Sequence, residues 1–174
     1  MPKFKILFIT AHPDDESLWC GGTLAAMSQF DCVEAYVMCM TGKSDPNRHT
    51  EFEKAMSLAQ PAGKVVLDHK IPEKGGIPID DIRGLVKSGL KQLAMSITDF
   101  DLVISHSHYG DEHTHHQHKQ LFGACRRIAG ESDIPFACFS LMPIPYVSIC
   151  PVLTDARRGN GLHFITLGSC TLVE

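Results

Sequence analysis

"ILFITAHPDDESLWCGG", residues 6–22, sets a short apolar run directly against His12, Asp14, Asp15 and Glu16 at the point where a helix begins. The run is β-rich and unbroken by polar side chains, as a strand covered on both faces requires. Acids in a first helical turn accept from free backbone N–H groups and oppose the positive end of the helix dipole. Pro13 suits an early helical residue, which needs no N–H partner and gains from a fixed φ. The stretch therefore reads as strand, tight junction, helix. The same rhythm recurs: strands are expected at 4–9, 33–39, 64–68 and 101–106, and helices at 16–29, 49–60, 79–97 and 116–130. Such alternation predicts an α/β fold with a mostly parallel, doubly wound sheet and helices on both faces, with ligands bound beyond the carboxyl ends of the strands. Later strands are expected at 135–142 and 162–167, separated by an irregular Pro- and Gly-rich segment over 143–161.

A chain of 174 residues suits one domain over 1–174 and can bury a substantial core. Its formal net charge of -4 supplies no global basic field for nucleic acid or an anionic membrane. No apolar run is long enough to cross a bilayer, and Met-Pro-Lys runs straight into a short apolar strand. The seven cysteines are odd in number and never spaced C-x-x-C, which argues against a disulfide framework or a zinc ribbon. A cytoplasmic enzyme domain is the expectation, and the sequence admits a homo-oligomer.

His12 and Asp15, three residues apart in a first turn, can lean toward one point at the sheet's carboxyl edge. A catalytic zinc needs three protein ligands and an open position, so another loop must supply the third. That loop is "SHSHYGDEHTHHQHK", residues 105–119, which holds six of the ten histidines. If strand 101–106 lies beside strand 4–9, both loops open onto one crevice, and His113 and His116, spaced like His12 and Asp15, could face the same centre. Two imidazoles and a carboxylate suit zinc, and Fe(II) also. Asp14, turned roughly 100° around the helix from Asp15, could stand beside the ion as a general base. A remaining imidazole could serve the oxyanion and the departing amine. His115 and His118 read as solvated loop residues, and His106 and His108 as satisfied polar groups that could support a bound imidazole.

With these residues in view, the chain resembles the LmbE-like, or PIG-L, zinc-dependent de-N-acetylases. The resemblance rests on "AHPDDE" after the first strand, "GGTLA" (21–25), "MTGKSD" (40–45) and "DEHTHH" (111–116), with Thr114-His115 where the family often carries Pro-Asp. It implies a Rossmann-like three-layer sandwich, zinc bound by His12, Asp15 and His116, Asp14 as general base, and His113 as the oxyanion and amine-protonating histidine. It further implies that Thr41 and Gly42 flank the site and that Arg48 contacts substrate. The implied substrate is a small N-acetylated sugar or conjugate of the N-acetylglucosamine type. Two other functions compete: a non-catalytic sugar- or nucleotide-binding module that keeps a metal, and a histidine-rich metal store. The spare carboxylate of Asp14 speaks against both, since neither needs a base.

Overall fold

The computed structural model describes residues 2–69, 79–109 and 115–140, together with the strand at 165–168. In chain order the elements are β1 (Phe4–Thr10), α1 (Asp15–Met27), β2 (Val33–Cys39), α2 (Pro46–Ala59), β3 (Gly63–Val66), α3 (Ile79–Gln92), β4 (Leu102–Ser105), α4 (His116–Glu131), β5 (Phe136–Ser140) and β6 (Ile165–Gly168). The strands form one six-stranded sheet in the order β3-β2-β1-β4-β5-β6. Every recorded pairing is parallel. This is the α/β, Rossmann-like three-layer arrangement, and β4 lies beside β1, the condition on which the meeting of the two loops depends. His113, the irregular segment 143–161 and the expected strand start at 162–164 lie outside the described residues.

Strand periodicity explains the two cores. In β1, Ile6 and Phe8 face one side of the sheet and join Leu24, Val37, Phe52, Met56 and Phe139 beneath α1 and α2. Leu7 and Ile9 face the other side and join Met38, Val86, Leu90, Val103, Leu121 and Cys125 beneath α3 and α4. Successive side chains of a strand point to opposite faces, so an unbroken apolar run is what a strand covered on both sides must carry. Phe8 sits between Val37 of β2 and Ile104 of β4 in the pairing register. A fully buried side chain of this size contributes about 1.5–3 kcal/mol relative to exposure.

From β1 the chain winds outward through β2 to β3, then returns past β1 to β4 and winds the other way. Crossovers of one hand place the helices of the two halves on opposite faces. The direction reverses between β1 and β4, and in doubly wound sheets that is the point at the carboxyl edge where ligands bind. Ser105 at the end of β4 donates from Oγ to the Ile9 carbonyl at 2.8 Å, tying the two strand ends together at that edge.

Helix limits differ from the sequence reading for local reasons. α2 starts at Pro46 instead of 49, because Asp45 caps it by accepting from the Asn47 and Arg48 amides and Pro46 takes an early position. α3 stops at Gln92 instead of 97: Ala94 turns to a left-handed φ of 55°, and Ser96 opens a separate 3-10 turn with a reciprocal cap from Asp99. Gly89, a poor helix residue in isolation, is where Met38 enters the helix surface; a Cβ there would lie 2.6 Å from the Met38 Cε. No helix among the described residues is long and apolar enough to cross a membrane.

Candidate metal centre

The junction after β1 is a closed turn. The His12 carbonyl accepts from the Asp14 and Asp15 amides at 3.0 and 3.2 Å. The His12 amide donates to Asp15 Oδ2 at 2.8 Å. Asp15 is thus both a helix-start acid and an inward-facing one, buried to 4% exposure. Asp14, the N-cap of α1, makes no side-chain capping hydrogen bond. Its carboxylate is half exposed and lies 3.9 Å from the Arg48 guanidinium, itself half exposed.

The loop after β2 braces this turn. Thr41 donates from Oγ1 to the Ala11 carbonyl at 2.8 Å. Gly42 adopts a φ of 94°, and a Cβ at that position would collide with the Pro13 ring. Thr41 and Gly42 thus lie against the first loop, and the Arg48 guanidinium stands beside Asp14.

From the β4 side comes His106, fully buried at the strand's end, and from α4 comes His118, 5% exposed. Ala11 donates its amide proton to His106 Nε2 at 3.1 Å. His118 is not a solvated loop residue, a correction to the sequence reading. It stands on the apolar stripe of α4 with Leu121, Ala124, Cys125, Ile128 and Ala129. Its ring is stacked between His106, centroids 3.8 Å apart, and His115, 4.4 Å apart, each inclined by 19°.

Three atoms then converge. His12 Nδ1 lies 3.3 Å from Asp15 Oδ2, His118 Nε2 lies 3.4 Å from the same oxygen, and the two nitrogens are 3.2 Å apart. Bonds of about 2.0–2.1 Å from a tetrahedral zinc to nitrogen and oxygen require ligand separations of about 3.3 Å. The triangle has that size. His12 Nε2 is 2.5 Å from Gln117 Oε1; donating there leaves the Nδ1 lone pair facing inward. Three ligand atoms at this spacing, one of them a carboxylate oxygen, offer lone pairs that a cation placed between them satisfies together. The donor set fits a divalent ion such as zinc or iron(II).

Ligand atoms fall into two overlapping groups within 4.8 Å: His12, His115 and His118 toward solvent, and Asp15, His106 and His118 in the buried interior. Of the expected ligands, His12 and Asp15 are brought together. His116 is placed elsewhere, exposed at the first turn of α4 with its Nε2 2.8 Å from the Gln120 side-chain nitrogen. The sequence reading missed His118, and helical spacing could have found it: His118, Leu121, Cys125 and Ile128 recur at the interval of one buried face.

Electrostatics follow burial and neighbours. Burial works to raise the Asp15 pKa, but the surrounding imidazoles, His106, His118 and His12, hold it far below the ordinary carboxylate range. His106 Nε2, which also accepts the Ala11 amide, stands 3.3 Å from Asp15 Oδ2. Glu16 is buried, its Oε2 has no hydrogen-bond partner among the described residues, and burial with the Asp15 and Asp14 charges pushes its pKa up to about 7. His115 is pushed below the usual histidine value by burial and by its neighbours His118 and His12.

Comparison with known proteins places these residues in a family context. The GlcNAc-PI de-N-acetylase (PIG-L) family matches residues 7–128, which include every described member of the cluster. A curated relative, the 1D-myo-inositol 2-acetamido-2-deoxy-alpha-D-glucopyranoside deacetylase of Actinosynnema mirum, is 25% identical over 107 residues. That match covers 62% of this chain and 32% of the relative, so the chain spans about a third of that protein's length. Among solved structures, the 4-carboxy-2-hydroxymuconate hydratase GalB of Pseudomonas putida KT2440 overlaps 71% of this chain and 55% of its own, at a TM-score of 0.49 and 16% identity. The UDP-GlcNAc 2-epimerase of Neisseria meningitidis overlaps 85% of this chain and 35% of its own, at a TM-score of 0.47 and 13% identity. Neither overlap bears on chemistry. The family match spans well over half of the sequence and contains the strand, the AHPDDE turn and the histidine-bearing helix, and on that ground the chain belongs to the GlcNAc-PI de-N-acetylase (PIG-L) family.

Proposed function

We propose that the protein is a metal-dependent hydrolase that removes an acetyl group from the nitrogen of an N-acetylglucosamine-type sugar conjugate or a related amide. The observation that carries this reading is the triangle of His12 Nδ1, Asp15 Oδ2 and His118 Nε2, with edges of 3.2 to 3.4 Å, at the reversal point of the sheet. In this reading His12, Asp15 and His118 hold the ion, His118 taking the place the family resemblance gives to His116. A divalent ion held there supplies polarisation of the acyl carbonyl and brings the pKa of water to about 7.

The chain's own groups do the rest. Asp14 is spared from capping, so its carboxylate is available to take the proton of the attacking water. The water oxygen bonds to the acetyl carbon, and the C–N bond then breaks. His113 is assigned the hydrogen bond to the developing oxyanion and the proton to the leaving nitrogen, releasing acetate and a free amine. Arg48, beside Asp14, orients that carboxylate and meets a polar substituent of the sugar. The donor set serves zinc and iron(II) alike, and elemental analysis distinguishes them.

The test is acetate release from a panel of N-acetylated sugars, with and without a chelator. Activity that disappears on chelation and returns with zinc or iron supports the reading; a panel left intact by a metal-loaded protein overturns the proposed substrate class. Asp14→Asn is expected to keep the ion and lose about 10²–10⁴-fold in turnover, the range of a missing general base. Turnover at the wild-type rate in that variant would remove Asp14 from the mechanism.

A further inference from the structure

Five side chains of ligating type crowd one place: His12, Asp15, His106, His115 and His118. An outer group of His12, His115 and His118 and an inner group of Asp15, His106 and His118 overlap among them, and the triangle of His12, Asp15 and His118 draws on both. The Nε2 of His118 faces Asp15 and His12 together. One nitrogen lone pair binds one ion, so the two groups are alternatives and the cluster holds a single ion.

The inner alternative lacks a donor. His106 is fully buried and its Nε2 accepts the Ala11 amide proton at 3.1 Å. That lone pair is spent on the backbone, and His106 serves to fix the turn and to support the His118 ring by stacking. The outer alternative has a donor to spare. His115 is exposed, belongs to the same ligand-atom group as His12 and His118, and stacks on His118 while meeting His12 edge-on at 5.1 Å between centroids. It is the N-cap residue of α4 and makes no side-chain capping bond, so its ring is not committed to the helix.

We infer that His115 is a displaceable fourth ligand, which closes on the ion held by His12, Asp15 and His118 while the site is idle and yields its place to substrate. The inference rests on the metal-centre reading given under the proposed function. Its ligand atom lies within 4.8 Å of those of His12 and His118 and must approach to the separation of about 3.3 Å that tetrahedral zinc imposes. An exposed ring at a helix start moves that far without disturbing the core. A fully buried ring such as His106 does not. The device protects the ion from loss between turnovers, at the cost that substrate must compete with an imidazole.

The substitution His115→Asn places a favoured N-cap residue at the helix start and removes the imidazole donor. X-ray absorption at the zinc edge, on full-length zinc-loaded protein, reads the bound imidazoles directly. Wild type is expected to show those of His12, His115 and His118, and the variant one fewer. Adding acetohydroxamate, a small chelating probe, should reduce the imidazole signal of wild type and leave that of His115→Asn unchanged. Zinc affinity, measured against a competing chelator dye, should fall roughly 10-fold in the variant, the low end of what losing a supporting partner costs. Acetohydroxamate should bind the variant more tightly than wild type. His12→Ala serves as the control for the underlying centre and should lose the ion. Identical imidazole signals in wild type and His115→Asn, with the ion lost from His12→Ala, would overturn the fourth ligand and leave the metal centre standing. Full zinc retention in His12→Ala would overturn both.

Discussion

At the residue scale the centre depends on which histidine of α4 turns inward. His118 and His116 are two positions apart, about 200° around a helix axis, so one helix cannot present both to the same point. His118 is stacked between two other imidazoles and its Nε2 faces Asp15, whereas His116 reaches Gln120 one turn along the exposed face. His118→Ala is therefore expected to lose the bound ion, and His116→Ala to keep it, by elemental analysis of the two purified variants. The reverse pattern would return the third ligand to His116 and require α4 to rotate. Circular dichroism separates metal loss from unfolding in the His118 variant, because removal of a buried ring also leaves a cavity.

At the scale of elements, the β1–α1 turn and the loop after β2 act as one piece. Pro13 packs where Gly42 has no side chain, and Thr41 ties the same loop to Ala11. Gly42→Ala brings two costs together, a φ of 94° that L-residues rarely adopt and a collision with the Pro13 ring. A loss of roughly 1–3 kcal/mol is expected, read as a lower denaturant midpoint, together with weakened metal binding because Pro13 sits between His12 and Asp14. The first of the two loops was legible in the sequence for a local reason. Strand end, proline and acids fall within a few consecutive residues, so His12 and Asp15 follow from the geometry of one turn. The second was not legible to the same depth, because six histidines in one stretch offer several registers and only the burial of α4 selects among them. Element limits moved for similar reasons: Asp45 started α2 early, and the left-handed Ala94 stopped α3.

At the scale of the whole molecule, the parallel, doubly wound class was legible because alternating strands and helices allow few topologies, whereas the strand order, with its reversal between β1 and β4, came from the structure. The same two-sided burial determines the fate of the cysteines. Cys39 is enclosed near the Thr41 and Ala11 carbonyls, and Cys125 lies wholly buried on the inner face of α4. Burial pushes both thiols up to about 12. In the unfolded chain the same thiols ionise near their ordinary value of 9.0, so between these limits the unfolded state binds fewer protons than the folded one. Folding stability must then fall as pH rises from about 9 toward 12, and these groups contribute no slope below about 9. Tyrosines and lysines also titrate in that window, so the contribution of one thiol is isolated by comparison. Cys125→Ala leaves a small cavity whose cost is independent of pH, and removes one source of the slope. Denaturant midpoints of the variant are expected to lie below wild type at neutral pH and to converge with it as the solution is made alkaline. A gap that stays constant through the alkaline range would show that the Ser105 hydroxyl, which acts to lower the Cys125 pKa, stabilises the thiolate enough to offset its burial.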